Sequence, residues 1–203
     1  MLAALILVVY VTLIADPTAY SASSRSDSST GTSNAVTVTS PAITSSPQDL
    51  NATQKVLSQI TQLLKDLQNR NLSHLQDYFT NQSVLTLTGC TDGLGGKYTG
   101  LSEIESLYAR YENGIASLSF NASGLAFRVI DSSTVNATYG LSITARGFFG
   151  TVDATVAVKQ QWTLSSNSTQ NTTSSSWAIE KDAWNFLSFA VDSSLIQVPA
   201  CKS

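Results

Sequence analysis

Around Gly114 the spacing of apolar residues changes from a period of about 3.6 to a period of 2, and it does not change back. No other feature restricts the fold as much. Upstream, Val56, Leu57, Ile60, Leu63, Leu64 and Leu67 recur at helical spacing between Ala52 and Asn69, which predicts one helix with a single buried stripe. Asn71 interrupts the stripe, and Leu72, Leu75, Tyr78 and Phe79 resume it in a shorter helix. Val84 to Thr88 alternates as a short strand, and a loop with five Gly in thirteen residues follows, from Thr88 to Gly100. Leu101, Ile104, Leu107, Tyr108 and Tyr111 mark a third helix, with Glu103 and Glu105 in its early turns, where the dipole favours acids.

Downstream the chain reads as strands. Leu118, Phe120 and Ala122 alternate with Ser117, Ser119, Asn121 and Ser123, and the phase flips near Gly124 to Leu125, Phe127 and Val129, which predicts a bulge. Val135, Ala137, Tyr139, Leu141 and Ile143 form one face of the next strand. After Gly150, Val152, Ala154, Val156, Val158, Trp162 and Leu164 oppose polar neighbours. Ser165 to Ser176 reads as a polar loop, and a last strand runs from Trp177 through Ile179, Trp184 and Phe186 with a phase change near Lys181 and Asp182. Helices first and antiparallel strands afterwards predict an α+β domain, its N-terminal helices packed in the concave face of a curved antiparallel sheet. The outer face should be rich in hydroxyls.

The domain accounts for residues 51–203. Residues 1–21 read as a signal peptide or membrane anchor, because Met1 to Ala15 is broken only by Tyr10 and Thr12 and is shorter than the roughly 20 residues a span needs. Residues 22–50 read as a linker or O-glycosylated stalk, with fifteen Ser or Thr between residues 21 and 50. Asn-X-Ser/Thr triplets occur at Asn51, Asn71, Asn81, Asn121, Asn136, Asn167 and Asn171, seven of the eleven Asn in the chain, and all lie where the pattern predicts solvent. Cys90 and Cys201 are an even pair, which in an exported chain favours a disulfide over two free thiols. The expectation is a secreted or cell-surface glycoprotein. A net charge of −3 without a basic cluster excludes a nucleic-acid partner, and one His with two distant Cys leaves no metal site.

From about Gln54 to Phe189 the order of features resembles the nuclear-transport-factor-2-like superfamily, in particular its SnoaL-like branch. The resemblance rests on Asp77-Tyr78-Phe79-Thr80-Asn81-Gln82-Ser83-Val84, on Tyr98-Thr99-Gly100-Leu101-Ser102-Glu103-Ile104, on the long hairpin, and on Trp177-Ala178-Ile179-Glu180-Lys181-Asp182. It implies a cone, a curved sheet closed by helices around a pocket, in a family of isomerases, cyclases, epoxide hydrolases and non-catalytic binding domains. The ketosteroid-isomerase branch places a base, an oxyanion-stabilising Tyr and a protonated carboxyl where this chain has Leu87 or Thr88, Leu63 and Val156. That activity is not expected.

Other candidates remain. His74, with Asp77 three positions on, is a catalytic candidate against an ordinary helix residue. Asp182 is a second, either projecting into the cone or turned to solvent at the phase break. Gln160 occupies an inward position among apolar residues and must find a partner, such as Tyr139, a water or a ligand, because an unpaired buried amide costs about 1–3 kcal/mol. Tyr78 and Trp162 complete the candidate pocket. The Gly-rich loop is no phosphate loop, since Tyr98 follows Gly96-Lys97. No cofactor is expected. The partner expected is a small apolar ligand or a cell-envelope protein, for a monomer or weak dimer. An exported isomerase, cyclase or hydrolase, and a structural subunit of a surface layer or filament, are the alternatives.

Overall fold

Pro47 at the first helical position and Asp49 in the first turn start α1 (Pro47–Gln68), four residues before the boundary expected at 51. The computed structural model describes residues 47–89, 95–112, 114–147, 150–169, 172–192 and 198–202. The leader, nearly all of the Ser/Thr-rich stretch, Cys90 and Asn171 lie outside the described residues. Among those described, no helix is long and apolar enough to cross a membrane.

The apolar stripe of α1 is buried as its spacing predicts: Val56, Ile60, Leu63, Leu64 and Leu67 lose nearly all contact with solvent. The helix ends in a paired capping turn. Asn71 N–H donates to the Asp66 carbonyl at 2.8 Å and Arg70 N–H to the Leu67 carbonyl at 3.2 Å, with Arg70 at φ 59. A left-handed Arg is strained, and its guanidinium is held by the Ile115 carbonyl, which ties the helix end to the sheet. The turn leads into a 3₁₀ segment, Leu72–Asp77.

The strands are β1 (Phe79–Gly89), β2 (Gly96–Thr99), β3 (Ile115–Asp131), β4 (Thr134–Gly147), β5 (Gly150–Thr169), β6 (Thr172–Asp192) and β7 (Val198–Lys202), with α2 (Leu101–Glu112) between β2 and β3. They form one curved, unclosed sheet in the order β2-β1-β6-β5-β4-β3, and β7 pairs with β6. Glu103 accepts a hydrogen bond from the Thr99 N–H at 2.7 Å, which fixes the entry to α2. The helices bury their stripes against the inner face, with Ile104 and Leu107 of α2 joining the core.

Four expectations need correction. The sheet is mixed, because β1 and β6 pair parallel. Ser165 to Ser176 is not all loop: the ladder continues from Ser165 opposite Ser176 to Thr169 opposite Thr172. Ser and Thr tolerate extended backbone, and the preceding register carries the pairing onward. Gly96–Thr99, read as loop, is β2, and Val198–Lys202 in the expected tail is β7. The bulge at Gly124 forms as expected, with φ 63 and the β3–β4 register shifting between Ser123 and Ala126. Gly89, at φ 81, ends β1 where a Cβ would lie 2.3 Å from the Phe186 carbonyl oxygen, so no side chain fits there.

Candidate functional site

The register lays the inward residues in transverse rows. One row reads Phe79, Ile179, Trp162, Val135, Val129, and another Leu87, Trp184, Val158, Tyr139. Between them runs Leu85, Asp182, Gln160, Ala137, Phe127. A carboxylate and an amide therefore stand side by side on β6 and β5, with apolar rows above and below and Tyr139 on the diagonal. Asp182 is 1% exposed and Gln160 2%.

Of the two readings of Asp182, into the cone or turned to solvent, its burial excludes the second. The break falls one residue earlier. Gln161 pairs with Lys181 and Trp162 with Ile179, which leaves Glu180 as the extra residue. Trp177 and Ile179 before the bulge, and Asp182 and Trp184 after it, all face inward.

Each buried polar group takes one hydrogen bond from a tryptophan two positions along its own strand, on the same face. Trp184 Nε1–H donates to Asp182 Oδ1 at 2.8 Å, and Trp162 Nε1–H donates to Gln160 Oε1 at 3.2 Å. The other atom of each pair, Asp182 Oδ2 and Gln160 Nε2, meets no partner in full hydrogen-bond geometry, and neither does the Tyr139 hydroxyl. Burial pushes the Asp182 carboxyl up to about 7, against the opposing pull of the Gln160 amide and the Trp184 indole. The Tyr139 phenol is pushed well above its ordinary value, first by burial, then by the charge of Asp182 and by Tyr108. Tyr108, half-buried on α2, makes that helix part of the wall around the cluster.

A second polar cluster forms where α1 ends. Asp66 is 4% exposed, and three side chains surround it. Gln62 Nε2 donates to Oδ1 at 3.2 Å, the Tyr78 hydroxyl donates to Oδ2 at 2.5 Å, and His74 Nδ1 lies 3.4 Å from Oδ2. Burial, and then the hydrogen bond to Asp66, raise the Tyr78 phenol beyond its usual range. His74 is expected to pair with Asp77, but Asp77 is exposed and the capping turn folds the 3₁₀ segment back so that the ring meets Asp66 and Asn71 instead.

The candidates thus separate. Gln160, Trp162, Tyr139 and Asp182 belong to the interior cluster, whereas Tyr78 and His74 belong to the Asp66 cluster. Leu63, Leu87 and Val156 are buried and apolar. Asp66, Trp184 and Tyr108 were missed as site residues. Asp66 carried a legible signal, an acid three residues after Leu63 on the apolar side of its helix. Of the acceptor asparagines, Asn51, Asn81 and Asn121 are exposed and Asn71 and Asn136 half-buried. Among the described residues, no group of three or more His, Cys, Asp or Glu could hold a metal ion.

No family model and no curated protein matches the sequence. Solved structures do. The hexachlorocyclohexane dehydrochlorinase LinA-type3 from Novosphingobium barchaimii superposes with a TM-score of 0.57 at 11% identity, over 75% of this chain and 97% of that one. A nuclear transport factor 2-like protein from Salmonella enterica gives 0.55 at 15% identity, over 67% and 91%. A protein with a cystatin-like fold from Caulobacter vibrioides gives 0.51 at 10%, over 67% and 89%. The rows, the helices across them and these likenesses agree: the chain has the nuclear-transport-factor-2-like fold.

Proposed function

We propose that this domain binds a small molecule inside its cone, with an apolar body against the aromatic rows and one polar head at Asp182, Gln160 and Tyr139. One observation carries the reading: three buried polar atoms, on three adjacent strands of an otherwise apolar interior, meet no partner in full hydrogen-bond geometry, the Gln160 amide only drawing on Asp182 from nearby. An unpaired buried group costs about 1–3 kcal/mol, so three in one place are costly unless something binds them. Intact mass under native and then denaturing conditions tests this. A stoichiometric small molecule lost on denaturation is expected; the absence of both a lost mass and uptake of any added ligand would sink the reading.

A second reading is acid–base catalysis by Asp182. A carboxyl near pH 7 with one oxygen held by Trp184 and the other unoccupied suits proton transfer at neutral pH. Here Asp182→Asn would abolish turnover even at saturating substrate, and retained turnover would exclude it.

The domain is also read as exported and N-glycosylated. The apolar run from Met1 to Ala15 and the exposure of Asn51, Asn81 and Asn121 support this. A Cys90–Cys201 disulfide is consistent with the register. Gly89, next to Cys90 in sequence, lies opposite Phe186, and Cys201 lies opposite Phe189 on the same strand. A mass shift on treatment with an N-glycosidase, and on reduction, checks both.

A further inference from the structure

The charge inside the cone is of one sign. Every lysine and arginine whose side chain is described is exposed to solvent, as is His74, so none of them neutralises Asp182. A buried carboxylate is tolerated when it keeps its proton, when neutral donors surround it, or when a cation pairs with it. Below about pH 7 the Asp182 carboxyl keeps its proton, and above it the protein supplies a well-aligned neutral donor to Oδ1 alone, through Trp184. Oδ2 has no partner in full hydrogen-bond geometry, the Gln160 amide only pulling on the carboxyl from nearby, and the Tyr139 hydroxyl, which can accept as well as donate, has none either. Aromatic rings line the same inner face: Trp184, which bonds Asp182, stands with its centroid 6.5 Å from that of Phe186 and the planes tilted by 38°, and Tyr108 of α2 acts on Tyr139. Ring faces attract cations, more so out of water.

We infer that the ligand of this interior is an organic amine, its ammonium group paired with Asp182 Oδ2 and donating to Tyr139 Oη, its apolar remainder packed against Trp184 and Phe186. The inference rests on the small-molecule reading above and goes further by naming the head group. A neutral alcohol or ketone would leave the carboxylate charge unpaired above about pH 7. Gln160, whose amide favours the ionised carboxylate, holds Asp182 ready for a cation.

The polar groups around Asp182 are Gln160 on β5, Trp184 on β6 and Tyr139 on β4, with Tyr108 of α2 acting on Tyr139, and none is cationic. Amine binding must therefore expel the proton Asp182 carries below neutrality. The experiment is titration calorimetry on the full chain with butylamine, 2-phenylethylamine and tryptamine, each against its matching alcohol, at pH 6 and pH 8. At least one amine is expected to bind tenfold or more tightly than its alcohol at pH 8, with protons released at pH 6 in two buffers of different ionisation enthalpy. Asp182→Asn should lose at least tenfold for that amine and leave the alcohol unchanged. Tyr139→Phe should lose a smaller factor, which keeps the test alive if the asparagine variant misfolds. Alcohols binding as tightly as amines would overturn the amine inference and leave the small-molecule reading standing. Failure of every probe at millimolar concentration, with no small molecule in the native mass, would overturn both.

Discussion

Asp66 and Asp182 are both buried carboxylates with a tyrosine near at hand, yet their surroundings differ in kind. Asp66 is fully engaged, with Gln62 on one oxygen and Tyr78 and His74 at the other. Asp182 has an indole on one oxygen and nothing in bonding geometry on the second. Burial and a perturbed neighbour are common to both, so neither property marks a site. The incomplete set of partners does. The first cluster closes a helix end against the sheet; the second leaves its polar atoms facing the inside of the fold.

The comparison can be broken by experiment, and the largest effect concerns pH. The folded carboxyl of Asp182 holds its proton up to about pH 7, whereas the ordinary value is 3.8. Between those values the folded state binds the extra proton, so stability falls as pH rises from about 4 to above 7, by on the order of 4 kcal/mol. Asp182→Asn should remove this slope and be the more stable protein at pH 8 in urea unfolding. Parallel pH profiles for the two proteins would contradict it. Asp66→Ala should act in the opposite direction, costing about 3 kcal/mol because the Tyr78 phenol is left buried without its acceptor. If that variant unfolds at the wild-type urea midpoint, Asp66 is not the anchor described here.

The two tyrosines sharpen the contrast further. Tyr78→Phe should cost about 1.5 kcal/mol by removing a hydrogen bond to a carboxylate. Tyr139→Phe should be neutral or slightly stabilising, since its hydroxyl is already unpaired. Equal losses at both positions would erase the distinction. The smallest effect is expected at His74, half-exposed, where replacement by Ala should cost less than about 1 kcal/mol in thermal unfolding.

Much of the fold was legible because burial is one-sided. The stripe Val56 to Leu67, the third helix and the inward sets on β3, β4 and β5 all follow from periodicity. Pairing partners were not legible, and the parallel contact of β1 with β6 shows why. Alternation says which face a residue takes, not which strand lies beside it. At the site, Gln160 stood out as a polar residue at an inward position. Asp182 did not, because a single bulge residue, Glu180, reverses the phase just before it, and a shift by one position exchanges solvent for core. Asp66 and Trp184 act through contacts that need the tertiary fold.

The parallel contact between β1 and β6 has a consequence for how the chain comes into being. Leu85 and Leu87 line up with Asp182 and Trp184, which are made long after them. During synthesis α1 and β1 exist for a long interval with the central edge of β1 unoccupied, and closing so distant a pair is slow. The row that holds Asp182 therefore cannot assemble until β6 has emerged. A nascent chain of this design stays open until β6 arrives to lock β1 in place.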